Sequence, residues 1–198
     1  MRKCFLAVVG IVMVLGLAMV LCPGPASGAS GAKVRAGRTL KVGPGQKYSK
    51  LSKAVGDARD GDTIEIDSKG NYDGDVCLIR ANNLTIRGVG KGRAKFRAAG
   101  KHYGGKAIWV IAGANATVEN IEFSGARVRD KNGAGIRAEG KGLTVRNCRF
   151  HDCEDGILGG AGTILIEYSE FSECGLDGRS HNLYIGTIDK LIFRHNHS

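Results

Sequence analysis

A parallel β-helix solenoid is the fold class that this sequence predicts, and three observations predict it. Gly135-Ile136-Arg137-Ala138 returns as Gly156-Ile157-Leu158-Gly159 after 21 residues, and as Asn182-Leu183-Tyr184-Ile185 after a further 26. Between these, Leu143-Thr144-Val145-Arg146-Asn147-Cys148-Arg149-Phe150 is echoed 21 residues later by Ile164-Leu165-Ile166-Glu167-Tyr168-Ser169-Glu170-Phe171. Beyond Asp62 the apolar pattern has a period of two, and helical spacing does not return. Units of roughly 20 to 30 residues, made of short β-branched segments and glycine-rich turns, bury their apolar stripe only by stacking on one another.

The segment 1–28 has the plan of a secretory signal: Arg2 and Lys3, an apolar run from Phe5 to Leu21, then Pro23, Pro25 and the small residues Ala26-Ser27-Gly28-Ala29. Cleavage near Ala29 would make the mature chain secreted or periplasmic, with no membrane attachment left. An uncleaved anchor is the alternative, because that run of 17 residues approaches the roughly 20 of a span. The formal charge is +10, or +8 without Arg2 and Lys3. Such a balance in an exported chain points to an anionic polymer. No nucleic-acid motif is present and aromatic residues are only 6%, which favours an acidic polysaccharide over nucleic acid. General solubility is the other reading of the charge.

Residues 29–62 read as an N-terminal strand and a capping helix. Thr39-Leu40-Lys41-Val42 is the strand, turned by Gly43-Pro44-Gly45. Leu51, Ala54, Val55 and Ala58 then fall on one helical face behind Ser49, the expected N-cap. Residues 63–198 read as stacked coils. Thr63-Ile64-Glu65-Ile66, Val76-Cys77-Leu78-Ile79 and Leu84-Thr85-Ile86-Arg87 open them, and Ile86, Val118, Val145, Ile166 and Phe193 form one inward column. Asn120, Asn147, Tyr168 and His195 occupy a one-residue bend where a left-handed backbone is expected. Ser198 falls in the column of Phe123, Phe150 and Phe171, in mid-coil. The coils therefore read as the first part of a longer β-helix, and the uncapped end is expected to self-associate.

Leu51-Ser52-Lys53-Ala54-Val55, then Gly61-Asp62-Thr63-Ile64-Glu65-Ile66, with Asn83-Leu84-Thr85-Ile86-Arg87-Gly88, resemble the opening of secreted right-handed parallel β-helix proteins of the pectate-lyase-like superfamily. The resemblance covers about residues 39–198. It implies a right-handed coil and a polymer cleft on the face of the first strand, but no single activity, because that superfamily holds lyases, hydrolases, epimerases and binding proteins.

Cys153 and Cys174 each lie three residues beyond a phenylalanine of the repeat, Phe150 and Phe171, so they share a column on adjacent coils. A spacing of about 4.8 Å suits either a disulfide or a pair of buried thiols. Cys148, in the column of Ile121, and Cys77 read as core thiols.

In the first strand of each coil, taking Ile108, Ile136, Ile157 and Leu183 as inward sends Trp109, Arg137, Leu158 and Tyr184 outward in one stripe. Trp109 and Tyr184 then offer flat surfaces to sugar rings, with Leu158 between, and Arg137 would clamp a uronate carboxylate. Arg179 and His181, in the adjoining loop, are the proton-transfer candidates. Glu139, Asp155 and Asp177 would take Ca²⁺, the metal suited to oxygen ligands, or else are solvated turn residues.

The function these residues predict is an exported carbohydrate-active protein acting on an acidic polysaccharide, as a polyuronate lyase or C5-epimerase. Both reactions remove the proton beside a uronate carboxylate and need a cation and a base there. A non-catalytic polysaccharide-binding or surface structural module is the alternative.

Overall fold

The computed structural model describes residues 36–175 and 178–198. The signal-type segment 1–28 and Asp177 lie outside these residues. The described coils belong to the compact unit Arg35–Ser198. In chain order the elements are β1 (Thr39–Val42), α1 (Leu51–Asp57), β2 (Thr63–Asp67), β3 (Cys77–Ile79), β4 (Thr85–Val89), β5 (Ala94–Arg97), β6 (Ala107–Ile111), β7 (Ala116–Glu119), β8 (Ile121–Ser124), β9 (Ala134–Arg146), β10 (Arg149–His151), β11 (Asp155–Glu167), β12 (Glu170–Ser172), β13 (Leu183–Tyr184) and β14 (Lys190–Arg194).

These named strands pair in parallel, and they form three faces of an all-β solenoid. The first face stacks β3, β6, the start of β9, the start of β11, and β13. The second stacks β1, β2, β4, β7, the ends of β9 and β11, and β14. The third stacks β5, β8, β10 and β12. Alternation expected separate first and second strands in the later coils. Instead β9 and β11 run unbroken through the corner, and the ladder between them shifts register there.

The inward column on the second face is the predicted one: Ile86, Val118, Val145, Ile166 and Phe193 are in register, and Leu40 and Ile64 extend it toward the N-terminus. On the third face Phe123, Phe150 and Phe171 stack with ring centroids 5.0 and 4.9 Å apart. Offset stacking of buried rings adds to the area they bury. Cys148 continues the column of Ile121, and burial pushes its thiol up to about 12.

Asn120, Asn147, Tyr168 and His195 all take positive φ, between 49° and 57°. This confirms the predicted bend column. Asn147 Nδ2 donates to Asn120 Oδ1 at 3.1 Å, and where the amides run out the Tyr168 and His195 rings stack at 5.0 Å.

The helix α1 buries Leu51 and Ala54 against the first coils, but Ser49 is not its cap. The carboxylate of Asp75, just ahead of β3, accepts the N–H groups of Leu51 at 2.6 Å and Ser52 at 3.2 Å. A cap from a distant segment satisfies the orphan donors of the first turn and also ties the helix to the coil it covers.

Candidate functional site: the cleft on the first face

Strand register decides which side chains share the outward file of the first face. Leu78 pairs with Val110, Val110 with Arg137, Arg137 with Leu158, and Leu158 with Tyr184. Arg137, Leu158 and Tyr184 thus stand in the predicted stripe. Trp109 does not. It pairs with Cys77 and Ile136, is fully buried, and sets its ring edge-on to Phe96 at 4.8 Å and Phe123 at 4.7 Å. Trp109 is a core residue, and the outward place is held by Val110.

The cause is a doubling at the arch of the coil, where Ile108 and Trp109 are both buried in the main core. The residues matching Ile108 on later coils are Gly135 and Gly156, and a Cβ on either would lie within 3 Å of a phenylalanine ring, Phe150 or Phe171. Strict alternation from Ile136 backwards slips one residue at that point. The signal that corrects it is the coil length: Val118 to Val145 spans 27 residues, and the same 27 carries Trp109 onto Ile136.

Val110 and Leu158 of this file pack with Ala107 and Ala134 into a small apolar floor. At its C-terminal end Asn132, Arg137, Asp155, Leu158, Arg179 and Tyr184 line a cleft of about 390 Å³. Arg137, Leu158, Tyr184 and Arg179 are therefore brought together from three coils. Asn132, which precedes β9 and has no place in the repeat, is a further lining residue.

The walls are fixed by main-chain bonds. Glu154 Oε2 accepts the N–H of Val128 at 2.9 Å and of Gly133 at 2.6 Å, which holds the loop before β9. Arg127, in that loop, is occupied by Asp152 at 2.7 Å. Ser180 Oγ donates to the Lys131 carbonyl at 3.0 Å, joining the loop that carries Arg179 to the opposite wall. His181 is exposed and lies outside the lining, its ring 5.4 Å from that of Tyr184.

Of the predicted calcium ligands, Glu139 and Asp155 take part in other bonds, and Asp177 lies outside the described residues. Glu139 pairs with Lys106 and lies 3.9 Å from Arg137 Nε. Asp155 is only 3% exposed, and its Oδ1 accepts the His181 N–H at 2.7 Å. Among the described residues no three His, Cys, Asp or Glu side chains gather at one point. Cys153 and Cys174 sit side by side as predicted, here as thiols.

Chemically the cleft offers two guanidinium groups, an amide and a phenol ring above an apolar floor, with the Asp155 carboxylate largely buried in its lining. That combination suits a planar anion attached to a ring with an apolar face.

A family model described as the right handed beta helix region matches residues 64–198, most of the chain. The chain belongs to the right-handed β-helix family. No curated protein and no solved structure matches this right-handed β-helix protein. Family membership accounts for the coils of the β-helix, and the chemistry rests on the cleft.

Proposed function

We propose that this β-helix protein is exported and acts on an acidic polysaccharide, holding a uronate unit in the first-face cleft. The observation that carries the reading is the convergence of Arg137, Arg179 and Tyr184 around Leu158 in one cleft. Arg137 would grip the uronate carboxylate through two N–H groups, and Tyr184 would lie against the sugar ring. With that carboxylate neutralised, loss of the neighbouring proton becomes easier, which is the first step of polyuronate lyases and C5-epimerases alike. Arg179 would supply a second cation to the enolate-like charge. His181 would accept the proton if ligand draws it across the ring of Tyr184.

A binding role without turnover is the second reading, and one observation favours it. His181 stands outside the lining, and the carboxylate in the lining, Asp155, already accepts a main-chain N–H.

The test is incubation of the purified protein with a panel of polyuronates, following ultraviolet absorbance for unsaturated product and calorimetry for binding. Lyase action gives absorbance, epimerase action gives a changed uronate composition by NMR without absorbance, and the binding role gives heat with neither. In either case Arg137→Ala is expected to weaken binding about tenfold or more, the scale of one charge-assisted contact of roughly 1.5–3 kcal/mol. Unchanged affinity in that variant would remove the cleft from the reading.

A further inference from the structure

We propose that Cys153 and Cys174 form a thiol–disulfide exchange site that fastens the cleft wall carrying Arg179. β10 and β12 are in register from Arg149 opposite Glu170 to His151 opposite Ser172. The turn that follows has the same shape on both coils, with φ of 51° at Asp152 and 54° at Glu173. Beyond it Gly175 N–H donates to the Glu154 carbonyl at 3.0 Å, so the coils stay parallel past the two cysteines. Their Cα atoms are then about one strand spacing apart, roughly 4.8 Å, inside the range that a disulfide bridges.

The two thiols are not equivalent. Interaction between them raises the Cys153 thiol and lowers that of Cys174, and Cys174 Sγ lies 3.6 Å from the Ser172 carbonyl oxygen. Cys153 is 2% exposed, whereas Cys174 is partly open to solvent. Cys174 is accordingly the attacking sulfur and Cys153 the resolving one.

The co-reactant is a disulfide, RS–SR, such as glutathione disulfide or an oxidoreductase. The Cys174 thiolate attacks one sulfur, the S–S bond breaks, and RS⁻ leaves to take up the proton that Cys174 released. Cys153 then gives up its proton and attacks the Cys174 sulfur, expelling the second RS⁻ to be protonated. Two protein thiols are oxidised and one disulfide is reduced to two thiols.

The link to the cleft is short. Gly175 follows directly, packed so that an added Cβ would lie 2.2 Å from the Ser180 carbonyl oxygen, and Arg179 and Ser180 complete the wall. A bond at the base of this wall limits its opening. This consequence for ligand rests on the polysaccharide reading, whereas the chemistry of the cysteines does not.

The experiment titrates the reduced protein with glutathione disulfide, quenches by alkylation and reads the peptides by mass. Loss of two hydrogens with a Cys153–Cys174 crosslink is expected, together with tryptic cleavage after Arg179 slowed about fivefold or more, as wall opening becomes rarer. Cys153→Ser should stop at a mixed disulfide on Cys174, and Cys174→Ser should leave Cys153 unreacted. Alkylation of both Cys153 and Cys174 at oxidant excess, or a mixed disulfide forming equally well on Cys153, would overturn the exchange site. A crosslink that leaves cleavage after Arg179 unchanged would overturn the fastening. If the crosslink forms and slows cleavage but neither redox state binds a polyuronate, the polysaccharide reading alone falls.

Discussion

On the second face of the solenoid the outward file runs Lys41, Glu65, Arg87, Glu119, Arg146, Glu167, Arg194, alternating in sign from coil to coil, whereas the outward file of the first face runs Leu78, Val110, Arg137, Leu158, Tyr184. On the second face Arg87 meets Glu65 at 2.7 Å, and Glu167 takes Arg146 at 2.6 Å and Arg194 at 2.7 Å. On the first, among the described residues Arg137 has only Glu139, at 3.9 Å, and Glu139 is shared with Lys106. The same strand spacing produces both faces, but one neutralises itself and the other keeps a cation, a phenol ring and an apolar floor directed outward. The number of cations is thus a poor guide to a site, because Lys41, Arg87, Arg146 and Arg194 alternate with Glu65, Glu119 and Glu167 in this ladder. What marks the candidate site is a guanidinium that the neighbouring coils leave weakly compensated.

The largest effect that tests this contrast concerns a residue removed from the first face. Trp109→Ala should destabilise the fold by about 3–5 kcal/mol, the usual cost of truncating a buried aromatic, and denaturant unfolding measures it. If Trp109 instead stood on the open face, stability would hold and only ligand affinity would fall.

Next in size is the self-neutralised file. Glu167→Ala leaves Arg146 and Arg194 without their shared partner and should lower the Tm, while polyuronate binding at the first face stays as it was. The same carboxylate contributes to acid sensitivity, because the guanidinium of Arg146, and then that of Arg194, holds it below the usual carboxylate range. Asp62 behaves alike: hydrogen bonding from Arg38 brings it down to about 2. A carboxyl depressed in the folded state stabilises above its unfolded pKa, near 4, and that stability is lost as pH falls toward the folded value. The Tm of the wild type should therefore drop between about pH 4 and pH 2, and Asp62→Asn should flatten the drop over that window.

The smallest effect sharpens the open face itself. Tyr184→Ala should leave the Tm within about 1 °C, since the side chain is 54% exposed and surface changes of this kind lie within roughly 0.5 kcal/mol. It should weaken oligouronate binding by about threefold to tenfold, the range expected for one ring contact. Equal loss of stability and affinity would mean that Tyr184 is packing rather than platform.

Much of the fold was legible because a solenoid writes its geometry into the sequence at a fixed interval. The inward column from Ile86 to Phe193, the phenylalanine stack and the bend at Asn120, Asn147, Tyr168 and His195 follow from period and composition alone. Strand β5 passed unread, since Ala94-Lys95-Phe96-Arg97 is short and has basic outward residues. The N-cap was also missed. Asp75 is 24 residues from Leu51 in the chain, and local sequence carries no sign of such a partner.

In the candidate site, Arg137, Leu158 and Tyr184 were reachable from the repeat and Arg179 only as part of the loop ahead of Tyr184, whereas Asn132 was not reached, because a loop residue has no period to place it. Trp109 was assigned to the wrong side because alternation assumes one inward residue at a time. The arch places two side by side, and glycine hides this on the later coils.

By itself the sequence determined that the chain stacks in coils, which residues share an inward column and that Cys153 and Cys174 are neighbours, because each follows from counting along a repeat. Only the tertiary structure decided that Trp109 is core, that Asp75 caps the helix, and that Glu167 consumes two arginines while Arg137 stays open. These depend on where the chain bends and on which side chains meet across coils. Both are set by packing in three dimensions and leave no periodic trace.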